Sequence, residues 1–144
     1  MRWLRSMGWR PGRRALRLLA PGHAAATLDR VTPTRASWNG HNASTWLDLI
    51  LAANGFDLDM AYGGEDRALG ERLENAGIRG IRIRHRAPTM HLDHPRPYVN
   101  HEAEERNRAI RARIARNRET RARLGIAELV ATESDDAIAA GAAE

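Results

Sequence analysis

The chain contains no cysteine and no lysine. Without cysteine it has no disulfide, no zinc–thiolate centre and no thiol nucleophile. Without lysine, all 23 basic residues are arginine, which stays charged across the physiological range and grips phosphate through paired donors. Aromatic residues make up only 5% and charged residues 28% of the 144 positions, so core material is thin and the length supports one domain at most. No stretch approaches the roughly 20 apolar residues of a membrane span. The opening residues, 1–21, lack the unbroken apolar stretch and cleavage site of a secretory signal. The expected location is cytoplasmic, with contact at the inner face of the membrane as a further option.

The net charge is +5, which suits an anionic partner: a nucleotide-sugar, a lipid diphosphate, a membrane surface or nucleic acid. Residues 1–28 hold six Arg and no acid, with Trp3, Leu4, Met7, Trp9, Leu16, Leu18 and Leu19 interleaved among them. That pattern predicts two short basic amphipathic helices split by Pro11-Gly12. They either pack on the rest of the protein, the favoured reading, or attach to an anionic membrane.

Further along, 29–38 reads as loop. Asn42 or Ser44 is a candidate cap for a helix running to about Ala53, with Trp46, Leu47, Ile50 and Leu51 facing a core and Asn54-Gly55 closing it. A loop spans 56–64. A second helix follows over 65–76, with Leu69 and Leu73 as its buried stripe and Gly77 ending it. Glu65 and Asp66 fall in its first turn, where the helix dipole favours negative charge. Residues 78–86 alternate Ile81 and Ile83 against Arg82, Arg84 and Arg86, the pattern of a half-exposed strand. A long charged helix is expected over 99–124, touching the body through Ile110, Ile114 and Leu124 and laced by pairs such as Glu104–Arg108. The Ala-rich acidic tail, 131–144, is expected to be disordered.

Two clusters carry chemistry. In Tyr62-Gly63-Gly64-Glu65-Asp66 the glycine pair lets a ligand approach the backbone, and the two carboxylates are presented at a helix start, where one can serve as a general base. The plainer reading is a helix cap after a flexible turn. In Met90-His91-Leu92-Asp93-His94-Pro95 the two imidazoles have a spacing that can share a metal, although nearby His pairs are more often surface residues. Asp57-Leu58-Asp59 follows a helix end rather than closing an apolar strand, which argues against a metal-diphosphate DxD.

Taken in order, Gly40-His41-Asn42, Asn54-Gly55-Phe56-Asp57, Gly63-Gly64-Glu65-Asp66 with Arg72-Leu73, and His91-Leu92-Asp93-His94 resemble the C-terminal region of family-2 glycosyltransferases, above all the galactosyltransferase C-terminal domain. The similarity covers about residues 38–107. It implies an α/β architecture: the rear part of a GT-A fold, helices on a small sheet remnant, followed by a long charged helix. It implies Asp66 as the catalytic base of an inverting sugar transfer, with Glu65 holding the acceptor or shaping the site. Gly63 and Gly64 would leave room for donor and acceptor, and Tyr62 would be an altered aromatic platform. Asn42 and Asp57 match positions near the acceptor loop and would be structural in part. His94, with His91, would hold part of a divalent metal, Mn or Mg. The implied partners are a nucleotide-sugar donor and a glycan or lipid-linked acceptor in polysaccharide synthesis. No nucleotide-binding run precedes the motifs, so a donor-binding half or a separate subunit is the further partner expected.

The resulting organisation is a basic segment over 1–37, an acceptor and catalytic region over 38–107, a charged helix over 108–130 and a tail over 131–144. Competing readings are an acceptor- or partner-binding module without catalysis and, less favoured, a basic nucleic-acid binder. A zinc hydrolase on His91 and His94 has only Asp93 as a third ligand.

Overall fold

The computed structural model describes Trp3, Ser6 and residues 22–89 and 100–132. Expectations for 7–21, for the His91–His94 cluster and for the tail beyond 132 lie outside these residues. The chain divides into two compact units, one of residues 1–36 with 81–96, the other of 37–80 with 97–144. Among the described residues the protein is mostly helical and has no strand.

In the first unit, helix α1 (Gly22–Val31) turns one face inward through Ala25 and Asp29, four residues apart. The loop expected over 29–38 starts later, because Asp29 to Val31 belong to this helix. Thr32 then caps the end, its hydroxyl donating to the Leu28 carbonyl at 2.6 Å. The segment expected as a strand over 78–86 is irregular and ends in a turn over 84–86. A half-exposed strand needs a neighbour to satisfy its backbone, and here the bonding is different. The Ala87 N–H returns to the Ile83 carbonyl at 2.7 Å. The Arg82 guanidinium donates to the carbonyls of Arg30, Thr32 and Thr34, satisfying acceptors left over at the α1 C-terminus. Ile81 is 79% exposed, so the alternation marks no buried face.

The second unit is built on α2 (Leu47–Ala52), α3 (Glu65–Asn75) and α4 (His101–Asn117), with a further helical segment over 126–132. One core cluster joins Met60 and Ala68 to Ile110 and Ile114 of α4. The other joins Ala53 to Leu69 and Leu73, with Trp38, Leu49 and Ile78 packed against it. Burial of a leucine such as Leu69 contributes about 1.5–3 kcal/mol. Gly70 is required here, because a side chain at that position of α3 would run into Trp38.

Helix α2 corrects two expectations. It starts at Leu47, and its cap residue, Trp46, makes no side-chain capping bond; Asn42 and Ser44 lie upstream in a non-helical stretch. Trp46, Leu47 and Leu51 are 79%, 68% and 50% exposed, and Ile50 is half-buried. The inward pair is Leu49 and Ala53. With Leu47, Leu49, Ile50 and Leu51 all apolar, the sequence offers more than one stripe. The backbone reversal at Asn54 and Gly55, φ 62° and 69°, sets which one turns inward.

Helix α4 is shorter than expected. Asn100 caps its start, accepting the Ala103 N–H at 3.2 Å, an arrangement worth about 1 kcal/mol. It ends at Asn117, where Arg118 adopts a left-handed conformation, φ 52°. The Asn75 side chain donates to the Ile114 and Glu119 carbonyls at 3.2 and 2.9 Å and holds that end against α3. Ile110 and Ile114 are buried as expected, whereas Leu124 is 39% exposed.

The stretch after α4 is pinned by Asn54. Its Nδ2 donates to the Ala122 carbonyl at 3.2 Å and to Glu128 Oε2 at 2.7 Å, and its Oδ1 accepts the Ala127 N–H at 2.9 Å. The Asn54 and Gly125 donors hold the Glu128 carboxyl below its ordinary acidity range. Beneath this lies an ion cluster. Arg72 is fully buried, 3.8 Å from Asp57 Oδ2, and donates to the Gly55 carbonyl at 2.8 Å. Arg113 reaches the same Asp57 oxygen at 4.0 Å and pairs with Glu119 at 3.0 Å. Burial pulls the Arg72 guanidinium below its ordinary value, opposed chiefly by Asp57.

Candidate functional site

The cluster singled out in the sequence forms one continuous feature. Gly63 and Gly64 both take positive φ, 116° and 94°, a conformation that side chains with a Cβ resist. Gly64 caps α3, so Glu65 and Asp66 begin the helix. Glu65 folds back on the turn, its Oε2 accepting the Gly63 N–H at 2.7 Å. Asp66 is half-buried. Its Oδ1 accepts the Arg67 N–H at 2.7 Å and its Oδ2 the Gly40 N–H at 2.8 Å. The turn over 39–42, closed by the Asn42 N–H on the Asn39 carbonyl at 3.0 Å, is thereby fixed to the start of α3. Asp66 and the Gly40–Asn42 motif, 26 residues apart, are neighbours.

Tyr62 is 43% exposed at the same turn. Asp57 is 2% exposed and bound into the Arg72–Arg113 cluster, and its Oδ1 accepts the Asp59 N–H at 3.2 Å. It organises the interior rather than lining a surface. His91 and His94 lie outside the described residues. Among the described residues, no group of three or more His, Cys, Asp or Glu side chains could hold a metal ion.

The residues that sequence reasoning missed come from α4. The buried Asn107 donates from Nδ2 to the carbonyls of Ala61 and Gly63 at 2.9 and 3.0 Å. It holds the turn from beneath, while its Oδ1 has no hydrogen-bond partner among the described residues. A Cβ on Gly63 would lie 3.5 Å from Glu104 Cγ, and one on Gly64 3.4 Å from Arg111 Cδ. Both glycines thus have α4 side chains within van der Waals reach. Arg111 is itself anchored, its Nε 3.2 Å from Glu71 Oε1. A signal for Asn107 does exist in the sequence: it sits on the stripe Ala103, Asn107, Ile110, Ile114, the one polar member of a buried face.

The arrangement presents a carboxylate at a helix start, each oxygen carrying one N–H and retaining lone-pair capacity, beside an exposed tyrosine and a rigid glycine turn. That constellation can accept a proton from a hydroxyl and hydrogen-bond a polyol. Compared with known proteins, the chain matches no family model, no curated protein and no solved structure.

Proposed function

We propose that the second unit carries the acceptor side of an inverting sugar transferase, with Asp66 as the base that takes the proton of an acceptor hydroxyl. The observation that supports this reading is the placement of Asp66. It stands in the first turn of α3, half-buried, and is oriented by two backbone N–H groups from different segments. A base held in one orientation removes a search that would otherwise slow proton transfer. On this reading Tyr62 offers an aromatic face to a sugar, Glu65 shapes the turn, and the turn at Gly40 to Asn42 borders the acceptor. The donor is a nucleotide-sugar. His94 and His91, which lie outside the described residues, would hold part of a divalent cation, Mn or Mg, and such an ion would supply Lewis-acid charge neutralisation. The acceptor is a glycan or a lipid-linked sugar.

One observation favours a second reading, an acceptor-binding module without catalysis. Glu65 and Asp66 both accept hydrogen bonds within the fold, and Gly63 and Gly64 face α4. Amide chemical-shift mapping with a panel of neutral oligosaccharides, joined to a transfer assay with sugar nucleotides, separates the two. The transferase reading expects shifts at Gly40 and 62–66, with feeble transfer that Asp66→Asn abolishes. Binding that persists without any transfer, in both wild type and Asp66→Asn, selects the module. If no oligosaccharide perturbs these residues, both fail.

A further inference from the structure

The modest net charge of +5 conceals a segregation. The unit of residues 1–36 and 81–96 contains twelve Arg and two Asp, whereas the unit of 37–80 and 97–144 contains eleven Arg and sixteen Asp or Glu. With His neutral, the first is +10 and the second −5.

Within the first unit the geometry concentrates this charge at one end of α1. Arg30 is exposed in the last turn of that helix. Arg82 reaches the Arg30 carbonyl at 3.1 Å and the Thr34 hydroxyl at 3.3 Å. Arg84 reaches that hydroxyl at 3.5 Å, and Arg86 Nε meets Asp29 Oδ2 at 2.9 Å. Three guanidinium groups, those of Arg82, Arg84 and Arg86, therefore gather along 29–34 beside the exposed Arg30, and among the described residues only Arg86 of these three is paired with a carboxylate. Asp29, the one acid of this unit among the described residues, is 4% exposed. It is shared by Arg86 and by the backbone and ring of His85. The carbonyl and hydroxyl oxygens bound by Arg82 and Arg84 carry no formal charge, so these contacts leave both cations uncompensated.

We propose that this unit is a docking surface for an anionic lipid bilayer. A polyanion of any kind would satisfy the charge, but the apolar residues select among polyanions. Trp3 is 70% exposed, and residues 1–21 interleave six Arg with Leu4, Met7, Trp9, Leu16, Leu18 and Leu19 and contain no acid. Leucine and methionine gain nothing from a phosphodiester backbone. They gain from the acyl boundary of a membrane, where Trp also partitions and where Arg can keep its head among the lipid phosphates.

The test is co-sedimentation of the full chain with vesicles of phosphatidylcholine alone or mixed with phosphatidylglycerol, at about 0.1 M salt. The proposal expects binding to the mixed vesicles and weak or no binding to the neutral ones. Arg30→Gln with Arg84→Gln should weaken that binding on the order of thirtyfold, since each basic residue near an anionic surface contributes roughly fivefold. The pair Arg30→Lys with Arg84→Lys should retain it, because the surface reads charge. Unchanged amide positions of His85 in each pair establish that the unit is intact. Equal binding to both vesicle types overturns the proposal. So does a Lys pair as weak as the Gln pair, or tighter binding to duplex DNA than to the mixed vesicles at the same salt. Asp66 lies in the other unit, so Asp66→Asn leaves vesicle binding unchanged whichever reading of that site holds.

Discussion

Asp29 and Asp57 are both buried carboxylates, but their environments differ in kind. Asp57 faces two guanidinium groups at 3.8 and 4.0 Å, and its Oδ2 makes no hydrogen bond among the described residues. Asp29 is saturated. Burial works against its ionised form, yet the His85 N–H, the Arg86 guanidinium and the His85 ring outweigh it and carry its acidity from the ordinary 3.8 to about 2. The folded value lies below the unfolded one, so the stability this carboxylate supplies is complete well above pH 3.8 and is lost as pH falls through about 2. The expected result is that protection of the His85 amide, which donates to Asp29 Oδ1 at 2.9 Å, declines over that window. In Asp29→Asn the decline is absent and protection is low throughout. Hydrogen exchange followed by NMR from pH 5 downward, roughly one unit above the ordinary carboxylate range, reads both. An unaltered pH profile in Asp29→Asn would refute the assignment.

Among the elements, the turn into α3 has the tightest requirements. Gly64→Ala places a Cβ in a left-handed conformation and against Arg111, which is expected to cost about 1–2 kcal/mol. Gly64→Asn should cost less, because asparagine tolerates that region. Urea denaturation of the three proteins gives the order. Much of this element was legible in sequence: the glycine pair, the acidic first turn, the Leu69 and Leu73 stripe and the stop at Gly77 all rest on local rules. What was not legible depended on partners distant in sequence. The alternation at 81–86 looked like a strand because Arg and Ile simply take turns, but Arg82 uses its guanidinium on carbonyls about fifty residues earlier. The helix at 47–52 offered several apolar stripes, and the reversal at Asn54 decided between them. Asp66 was legible as a helix-start carboxylate, whereas its attachment to Gly40, 26 residues away, and the hold of Asn107 on the glycine turn rest on partners distant in sequence.

At the scale of the whole molecule, the apolar residues left outside are as informative as the core. Trp46, Leu47 and Leu51 are at least half exposed, and Leu47 and Leu51 share one side of α2. Replacing Leu47 and Leu51 together with Gln is expected to leave thermal stability within about 0.5 kcal/mol per site and to raise the solubility limit, measured by light scattering against concentration. A large loss of stability instead would mean that this side is packed in solution. The second unit also bears on how the molecule ages. An Asn-Gly pair in an unfolded chain readily cyclises, the glycine nitrogen attacking the asparagine side-chain carbonyl and expelling ammonia. Here the Gly55 nitrogen donates to the Ile50 carbonyl at 2.9 Å, and the Asn54 carboxamide is held by Ala122, Ala127 and Glu128. The residue that ties the stretch after α4 to the turn is thus shielded by the structure it completes. Each unfolding exposes it to a deamidation that would place a carboxylate opposite Glu128, so one such event lowers the stability of that molecule for good.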